Sequence, residues 1–486
     1  MGRFVPVLAS LALSACAAGH GLTGTPVNVD PVLPATPATY QAKTVAEAPL
    51  LSNWLDQFDD PRLIEIVEEA LQANPNILSN EALIRAAEQN ARAIFGRSLP
   101  SVGFNFNNGF STTFSSQALG GGVVVDGRFD QPSFANAFQI SWELDLWGRV
   151  RATNQAARAD YIATQADLNA AQLSLASQVA VAWINLNAAL NQERIGLETV
   201  TSRKNVVDLT ERRFGRGLST ALDVRTARSQ LATAQAQLAA QNQTRNEATR
   251  ALEILLGRYP ATELEAPAVL PALVPIQSPG NPGDLLARRP DIAAIEARLE
   301  AAGLRAEAAR LAIFPSLNVT SNISNSSSID FPDIFDPQRI SANIFASLTQ
   351  SVWNGGAIKA DKRAALANAE AIAHNYTTTA LTAWREVEDA LDADRLLAKQ
   401  EDAQRIALEE ATLAEDIATR QYQNGLVTIF NLLTSQTNRL NAEASLVQAQ
   451  AARAVNRVNY HMALGGGFTS SPQTQDLAST TAGAPS

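Results

Sequence analysis

Phe134-Ala135-Asn136-Ala137-Phe138-Gln139-Ile140-Ser141-Trp142-Glu143-Leu144-Asp145 alternates with a period of two: Phe134, Phe138, Ile140, Trp142 and Leu144 fall on one face, and Gln139, Ser141, Glu143 and Asp145 on the other. Successive side chains of a strand point to opposite sides, so this segment reads as a strand with one apolar and one polar face. The pattern recurs in Val102, Phe104 and Phe106 against Asn105 and Asn107, and in Leu317, Val319 and Ile323 against Asn318, Thr320 and Asn322. It recurs once more in Ile340, Ala342, Ile344, Ala346 and Leu348 against Ser341, Asn343, Ser347 and Thr349. Four strands are predicted, at about 101–114, 133–145, 316–324 and 340–352, and strands of about ten residues with one apolar face suit a bilayer crossing. A polar face of Asn, Ser, Thr and Gln suits a water-filled lumen; a small soluble sheet lying on helices is the alternative. The connections Ser115 to Gln131 and Asn325 to Pro337, rich in Gly, Ser and Asp, are expected as external loops. Four strands cannot close a barrel, and an open edge in lipid leaves backbone groups unpaired at several kcal/mol each, so closure requires several copies.

Outward from the strands, no proline occurs between Pro132 and Pro260 or between Pro337 and Pro472. Proline costs about 3 kcal/mol in a helix interior and glycine about 1, so these tracts permit long helices. Glycines cluster at Gly148, Gly215, Gly217, Gly355, Gly356 and Gly425, and each tract is expected to fold as a helical hairpin turned at Gly217 or Gly425. The run from Arg149 to Arg213 would extend about 100 Å at 1.5 Å per residue. Ala227 to Gln241 is mostly Ala and Gln with Leu231 and Leu238 seven apart, a thin apolar stripe suited to closely approaching helices. On the helices alone a coiled-coil rod fits equally well. After the N-terminal signal, no segment reads as long and apolar enough for a transmembrane helix.

The chain reads the same way twice. Arg97-Ser98-Leu99-Pro100-Ser101 matches Ile313-Phe314-Pro315-Ser316-Leu317, Leu146-Trp147-Gly148 matches Val352-Trp353-Asn354-Gly355, and Arg216-Gly217-Leu218-Ser219-Thr220 matches Asn424-Gly425-Leu426-Val427-Thr428. A repeat of roughly two hundred residues is far longer than a solenoid unit of about 20–50, which points to an internal duplication. The expected organisation is a first repeat at 51–257 with its hairpin at 146–257, a linker at 258–283, a second repeat at 284–465 with its hairpin at 354–465, and a flexible tail at 466–486.

The 486 residues carry 38 Lys and Arg against 48 Asp and Glu, a net charge of −10, which argues against a nucleic-acid partner. Arg3, the apolar run Phe4 to Leu13 and the small residues that follow have the layout of a secretory signal over 1–15, too short to span a bilayer. Cys16 is the only cysteine, so no disulfide forms within one chain. Residues 16–50, rich in Pro, Thr and Ala, read as an extended tether. His20, His374 and His461 are isolated, no Gly-rich phosphate loop follows a strand, and no carboxylate cluster has metal spacing, so neither an enzyme nor a cofactor is expected. Glu386 and Glu388, like Asp392 and Asp394, lie two apart on a predicted helix, face different directions and read as solvated surface.

Several strings together resemble the outer-membrane efflux channel family, the TolC/OprM group, and within it the NodT-type lipoproteins. They are Leu13-Ser14-Ala15-Cys16, Ala73-Asn74-Pro75-Asn76, Asp284-Leu285-Leu286-Ala287-Arg288-Arg289-Pro290-Asp291-Ile292, Trp147-Gly148, Arg213-Phe214-Gly215-Arg216-Gly217-Leu218, Tyr422-Gln423-Asn424-Gly425-Leu426 and Ala463-Leu464-Gly465-Gly466-Gly467. The resemblance implies a mainly α fold with membrane β: a TolC-like trimeric α-barrel/β-barrel with four strands and two long helical hairpins per protomer. It implies a homotrimer in outer-membrane lipid, passive as a duct for drugs and toxic compounds. The implied partners are a periplasmic adaptor (membrane fusion) protein and an inner-membrane efflux transporter of the RND type. Leu13-Ser14-Ala15-Cys16 resembles a lipobox acylated at Cys16, and Ala17, where an inner-membrane retention signal would have Asp, favours the outer membrane. The family's adaptor-docking turns map onto Arg216, Gly217, Leu218 and Ser219 and onto Asn424, Gly425, Leu426 and Val427. Its periplasmic gate maps onto Asp223, with Arg225 beside it, and in the second repeat onto Asn431 and Thr434, where the pattern has aspartates. A lipid-anchored periplasmic coiled-coil scaffold without a pore is the alternative.

Overall fold

The computed structural model describes residues 29–34, 36–37, 39–42, 54–119, 123–276 and 278–466. The signal at 1–15, Cys16, much of the tether and the tail from 467 lie outside the described residues. Helices α1 (Pro61–Ala73) and α2 (Pro75–Arg97) lead into β1 (Ser101–Leu119) and β2 (Val123–Leu144), then into α3 (Arg149–Gly215) and α4 (Ala221–Leu255). A second series follows: α5 (Pro282–Arg288), α6 (Pro290–Leu311), β3 (Ser316–Ser327), β4 (Ser341–Thr349), α7 (Ala357–Gln423) and α8 (Ile429–Ala463). Helices α3 and α7 have 67 residues each and α4 and α8 have 35 each, so the duplication holds residue for residue along both hairpins. Gly217 and Gly425, which turn them, adopt φ of 72° and 76°, a conformation that costs glycine nothing.

The chain divides into two compact units that do not follow the repeats. One contains Ile84–Thr164 and Ala294–Tyr376; the other contains Leu33–Leu83, Gln165–Ala293 and the chain from Thr377 onward. Each unit therefore draws on both repeats.

In the first unit the strands form one antiparallel sheet in the order β1-β2-β3-β4. The expected loop at 115–131 is corrected: β1 and β2 continue through it, paired from Ser101↔Ser141 to Leu119↔Val123. Backbone pairing sustains the ladder where the apolar alternation fails, helped by Thr112 Oγ1 and Arg128 Nε, which both donate to Asp130 Oδ1 at 2.8 and 2.7 Å. Pro132 is tolerated because β3 pairs with β2 only as far as Phe134↔Ser327, beyond which that edge of β2 is open. β3 likewise runs on to Ser327, and β4 ends at Thr349, short of the expected 352. The apolar face is largely uncovered by this chain: Val102, Phe104, Phe110, Ile344 and Leu348 are all exposed. At one end Phe331, in a 3-10 turn between β3 and β4, packs edge-on against Phe106 and Phe134.

The main core lies in the second unit. Trp54, Leu55 and Phe58 of a 3-10 turn join Leu63, Ile66 and Val67 of α1, Val179, Trp183 and Ile184 of α3, Leu252 of α4 and Val458 of α8. Asp60 caps α1 through the N–H groups of Arg62 and Leu63 and accepts Trp183 Nε1 at 2.7 Å, which fixes α1 on α3. The expectation that no helix is apolar enough to span a membrane fails for α3, which has a window of mean hydropathy 1.3. That window is 61% buried within the chain, as a core helix would be.

Two further expectations change. Glu386 is paired with Arg289 at 2.7 Å, and Glu388 accepts the backbone N–H groups of Gln41 and Ala42 at 2.7 and 2.8 Å, so neither is idle surface. Asp394 is buried against Arg457 at 3.0 Å, while Asp392 does face solvent beside Arg395. Through Glu388 the tether is fixed at Gln41 and Ala42, next to Tyr40, which packs on a cluster including Val387, Tyr460 and Leu464.

The strings before the second helix of each series have a common task. Asn74 Nδ2 donates to the carbonyl of Leu255, the last residue of α4, at 2.8 Å; Arg289 Nη1 donates to that of Ala463, the last residue of α8, at 2.9 Å. Beside them Gly257 and Gly465 approach so closely that an added Cβ would lie 2.7 Å from Ala73 O and 2.9 Å from Arg288 O. The Arg288-Arg289-Pro290-Asp291 string is thus a helix-end clasp, with Arg289 held by Asp291 and Glu386.

Candidate functional site

The two hairpin ends pack together in the second unit. Val206 and Val207 of α3, Ala227 of α4, Tyr422 of α7 and Ile429, Leu432 and Leu433 of α8 form one buried cluster, with Val427 against it. Both turns close in the same way: Leu218 N donates to Arg213 O and Leu426 N to Gln421 O, each at 2.9 Å, while Gly217 N and Gly425 N bond to Phe214 O and Tyr422 O. These bonds satisfy carbonyls left free at the ends of α3 and α7. Arg216, Leu218, Asn424 and Leu426 project from the turns into solvent, and Ser219 is half-buried.

Asp223 is the third residue of α4 and half of a capping box. Thr220 Oγ1 accepts Asp223 N at 3.2 Å, and Asp223 Oδ2 accepts Thr220 N at 2.8 Å and Ser219 Oγ at 2.9 Å. The Thr220 N–H chiefly holds this carboxyl below the usual range; partial burial opposes it, and Ser219, Thr220 Oγ1 and the Arg213 charge add to it. The carboxylate is therefore charged at neutral pH and aimed back at its own turn. In the second repeat Thr428 caps α8 without a side-chain bond to the backbone; its Oγ1 donates instead to Asn431 Oδ1 at 2.9 Å. Arg225 and Thr434 are exposed. The four expected gate residues thus occupy the first two turns of α4 and α8, two of them in the caps.

Sequence reasoning missed the residues that couple the ends. Arg213 Nη1 donates to Tyr422 O and Gln423 O at 3.3 and 3.2 Å, its Nη2 donates to Leu218 O at 3.4 Å, and its guanidinium lies 5.1 Å from the Tyr422 ring centre. One cation thereby serves the C-termini of α3 and α7, where the helix dipoles favour positive charge. Thr210 Oγ1 meets Tyr422 Oη at 3.2 Å from the same side. Both Arg213 and Tyr422 stood in the motif strings, but nothing in one sequence brings them together. Deeper in the bundle, the buried Arg203 donates to Gln436 Oε1 and Thr437 Oγ1, both at 2.8 Å. Two exposed apolar positions were also missed: Leu222 and Phe430 begin their helices at matching places, beside Leu218 and Leu426. They give each turn a similar apolar tip.

The family model described as outer membrane efflux protein matches residues 66–258 and 281–466, one match on each repeat. The pyoverdine export outer membrane protein OpmQ of Pseudomonas aeruginosa is 29% identical over 464 residues, covering 95% of this chain and 97% of its own. The cation efflux system protein CusC of Escherichia coli is 27% identical over 418 residues, 86% of this chain and 88% of its own. Among solved structures, the outer-membrane channel OprN superposes with a TM-score of 0.81 at 27% identity, covering 91% of this chain and 99% of that one. With both repeats matched and the fold shared over nearly its whole length, this chain belongs to the outer membrane efflux protein family and is an outer-membrane efflux channel.

Proposed function

We propose that three copies of the chain form a passive exit duct, anchored through an acylated Cys16, that receives small molecules from an RND-type inner-membrane pump through a periplasmic adaptor. The observation that carries this is the unfinished sheet. Four strands with an uncovered apolar face and a free edge on β1 and on β4 are stable in lipid only when copies join edge to edge. The wall is generic: the relatives' names run from pyoverdine export to cation efflux, which favours a duct that leaves selection to the pump.

The adaptor meets the hairpin tips. Leu218, Leu222, Leu426 and Phe430 are exposed at matching places on turns fixed by backbone hydrogen bonds, a rigid apolar surface for a partner helix tip. Arg216, Gly217, Ser219, Asn424, Gly425 and Val427 shape that surface. The gate lies just inside, where Asp223 carries a charge and Asn431 and Thr434 do not, so any acidic ring has one carboxylate per chain. Arg213 is the cation whose charge acts on Asp223, and Arg225 stands exposed two residues further along α4.

Leu218→Asp combined with Leu426→Asp should abolish export of a substrate in cells while leaving the trimer intact by native mass spectrometry. Normal export by that variant would place docking elsewhere.

A further inference from the structure

The register in which two copies join can be read from the internal duplication. Ser101 and Ser316 begin β1 and β3, each directly after a proline. Ser101 pairs with Ser141 and Ser316 with Thr349, so Ser141 of β2 corresponds to Thr349 of β4. A separate contact obeys the same correspondence: Trp142 Nε1 donates to Ser98 O at 2.9 Å, and Gln350 Nε2 to Ile313 O at 2.7 Å. Arg149 and Ala357, the first residues of α3 and α7, follow at equal distances. The two halves of the sheet therefore share one register, although β4 ends at Thr349, three residues before Val352, the counterpart of Leu144.

Within the chain the halves join through β2 and β3, in the pairs Leu144↔Leu317, Ile140↔Ser321, Ala137↔Ser324 and Asn136↔Asn325. We infer that β4 joins β1 of a second copy in the equivalent register, and that Phe345 covers Gly109 across this boundary. The inference rests on the assembly proposed above and adds its register. Transferring the four pairs sets Val352 opposite Val102 of the partner subunit, Leu348 opposite Phe106 of the partner subunit, Phe345 opposite Gly109 of the partner subunit and Ile344 opposite Phe110 of the partner subunit.

The side chains agree with the transfer although they played no part in it. Val352, Leu348 and Ile344 are 94%, 63% and 77% exposed in the single chain, and Val102, Phe106 and Phe110 are exposed too, so three apolar pairs would line one face. A shift by one residue would set each apolar side chain opposite a polar position. Phe345 is the only aromatic residue of β4 and lies on its polar face, next to Asn343 and Ser347. It is 61% exposed there in the single chain. Gly109 lies on the polar face of β1 with space above it: an added Cβ would meet only Ser133, at 4.0 Å. An aromatic ring laid over a cross-strand glycine compensates the missing side chain, a device that pins register at sheet edges.

Asn105 and Thr349 are opposite each other in this register. Oxidising purified protein that carries Asn105→Cys and Thr349→Cys should yield a disulfide-linked trimer on non-reducing gels, and neither single variant should do so. Asn107→Cys with Thr349→Cys, two residues out of register, should stay uncrosslinked. Crosslinking of the shifted pair, or of neither pair in a protein that native mass spectrometry finds trimeric, overturns the register and leaves the trimer standing; a monomer overturns both. Phe345→Ala should lower the temperature at which the trimer dissociates in detergent, and an unchanged temperature would overturn the role of Phe345.

Discussion

The two hairpins end their return helices with one backbone contact and two different side chains. In the first repeat neutral Asn74 holds Leu255 O beside Gly257; in the second, charged Arg289 holds Ala463 O beside Gly465 and is itself held by Asp291 and Glu386. The same helix position is also filled differently. Glu253 of α4 accepts the N–H groups of Thr262, Glu263 and Leu264, whereas His461 of α8 donates from Nε2 to Gln57 Oε1 at 2.9 Å and stacks on Trp54. Duplication fixed the backbone, and each copy then acquired its own polar partner. Where a glycine meets a carbonyl nothing could change; where a side chain reaches it, chemistry was free to diverge.

The largest contrast is expected at the clasps. Arg289→Ala removes a buried cation and its charged hydrogen bonds, but Asp291 and Glu386 are 39% and 33% exposed and can hydrate, so the loss should be about 3 kcal/mol, less than for a fully buried pair. Asn74→Ala removes two neutral hydrogen bonds, the one to Leu255 O and the one from Asn76 N at the start of α2, together about 2 kcal/mol. Thermal unfolding of the two variants measures the gap, and equal losses would mean that the charge in the second clasp is incidental.

Acid should separate Glu253 from His461. Burial lowers the His461 pKa to about 3, with the Arg457 charge acting the same way. Its contribution is present above the unfolded value of about 6.5 and is lost as the pH falls towards the folded one. Burial pushes the Glu253 carboxyl up, but its three backbone donors hold it below the usual range, so its contribution is lost only as the pH falls through that depressed value. A loss of stability between about pH 6.5 and 5 should therefore vanish in His461→Gln and persist in Glu253→Gln.

The smallest expected effect lies at the caps. Asp223→Ala removes both the charge and half the capping box, a loss of about 0.5–2 kcal/mol, and should raise resting leakage. Asp223→Asn keeps an acceptor for Thr220 N and removes only the charge. Leakage in both variants identifies an electrostatic gate, leakage in Asp223→Ala alone identifies the cap, and an unchanged closed state in both places closure elsewhere.

Much of this was legible from one chain because it depends on local periodicity. Proline-free tracts and glycine turns located the hairpins, and alternation located the strand segments that have an apolar face. The stretch 115–131 was misread because its Ser, Gly and Asp residues resemble a loop, although ladder pairing depends on the backbone and a registered partner. Glu386, Glu388 and Asp394 were misread for a related reason: their partners Arg289, Gln41 and Arg457 are distant in sequence. The Arg213 clamp on Tyr422 lies beyond sequence reasoning altogether, since it joins the two repeats through space.

Single-channel recording of the purified protein in planar bilayers shows whether the joined sheets enclose a pore. A duct of three joined sheets predicts discrete, cation-favouring conductance steps from a species of trimer mass, with Asp223→Asn reducing the preference. A trimer that inserts into the bilayer and passes no current would contradict the duct and leave a scaffold in its place.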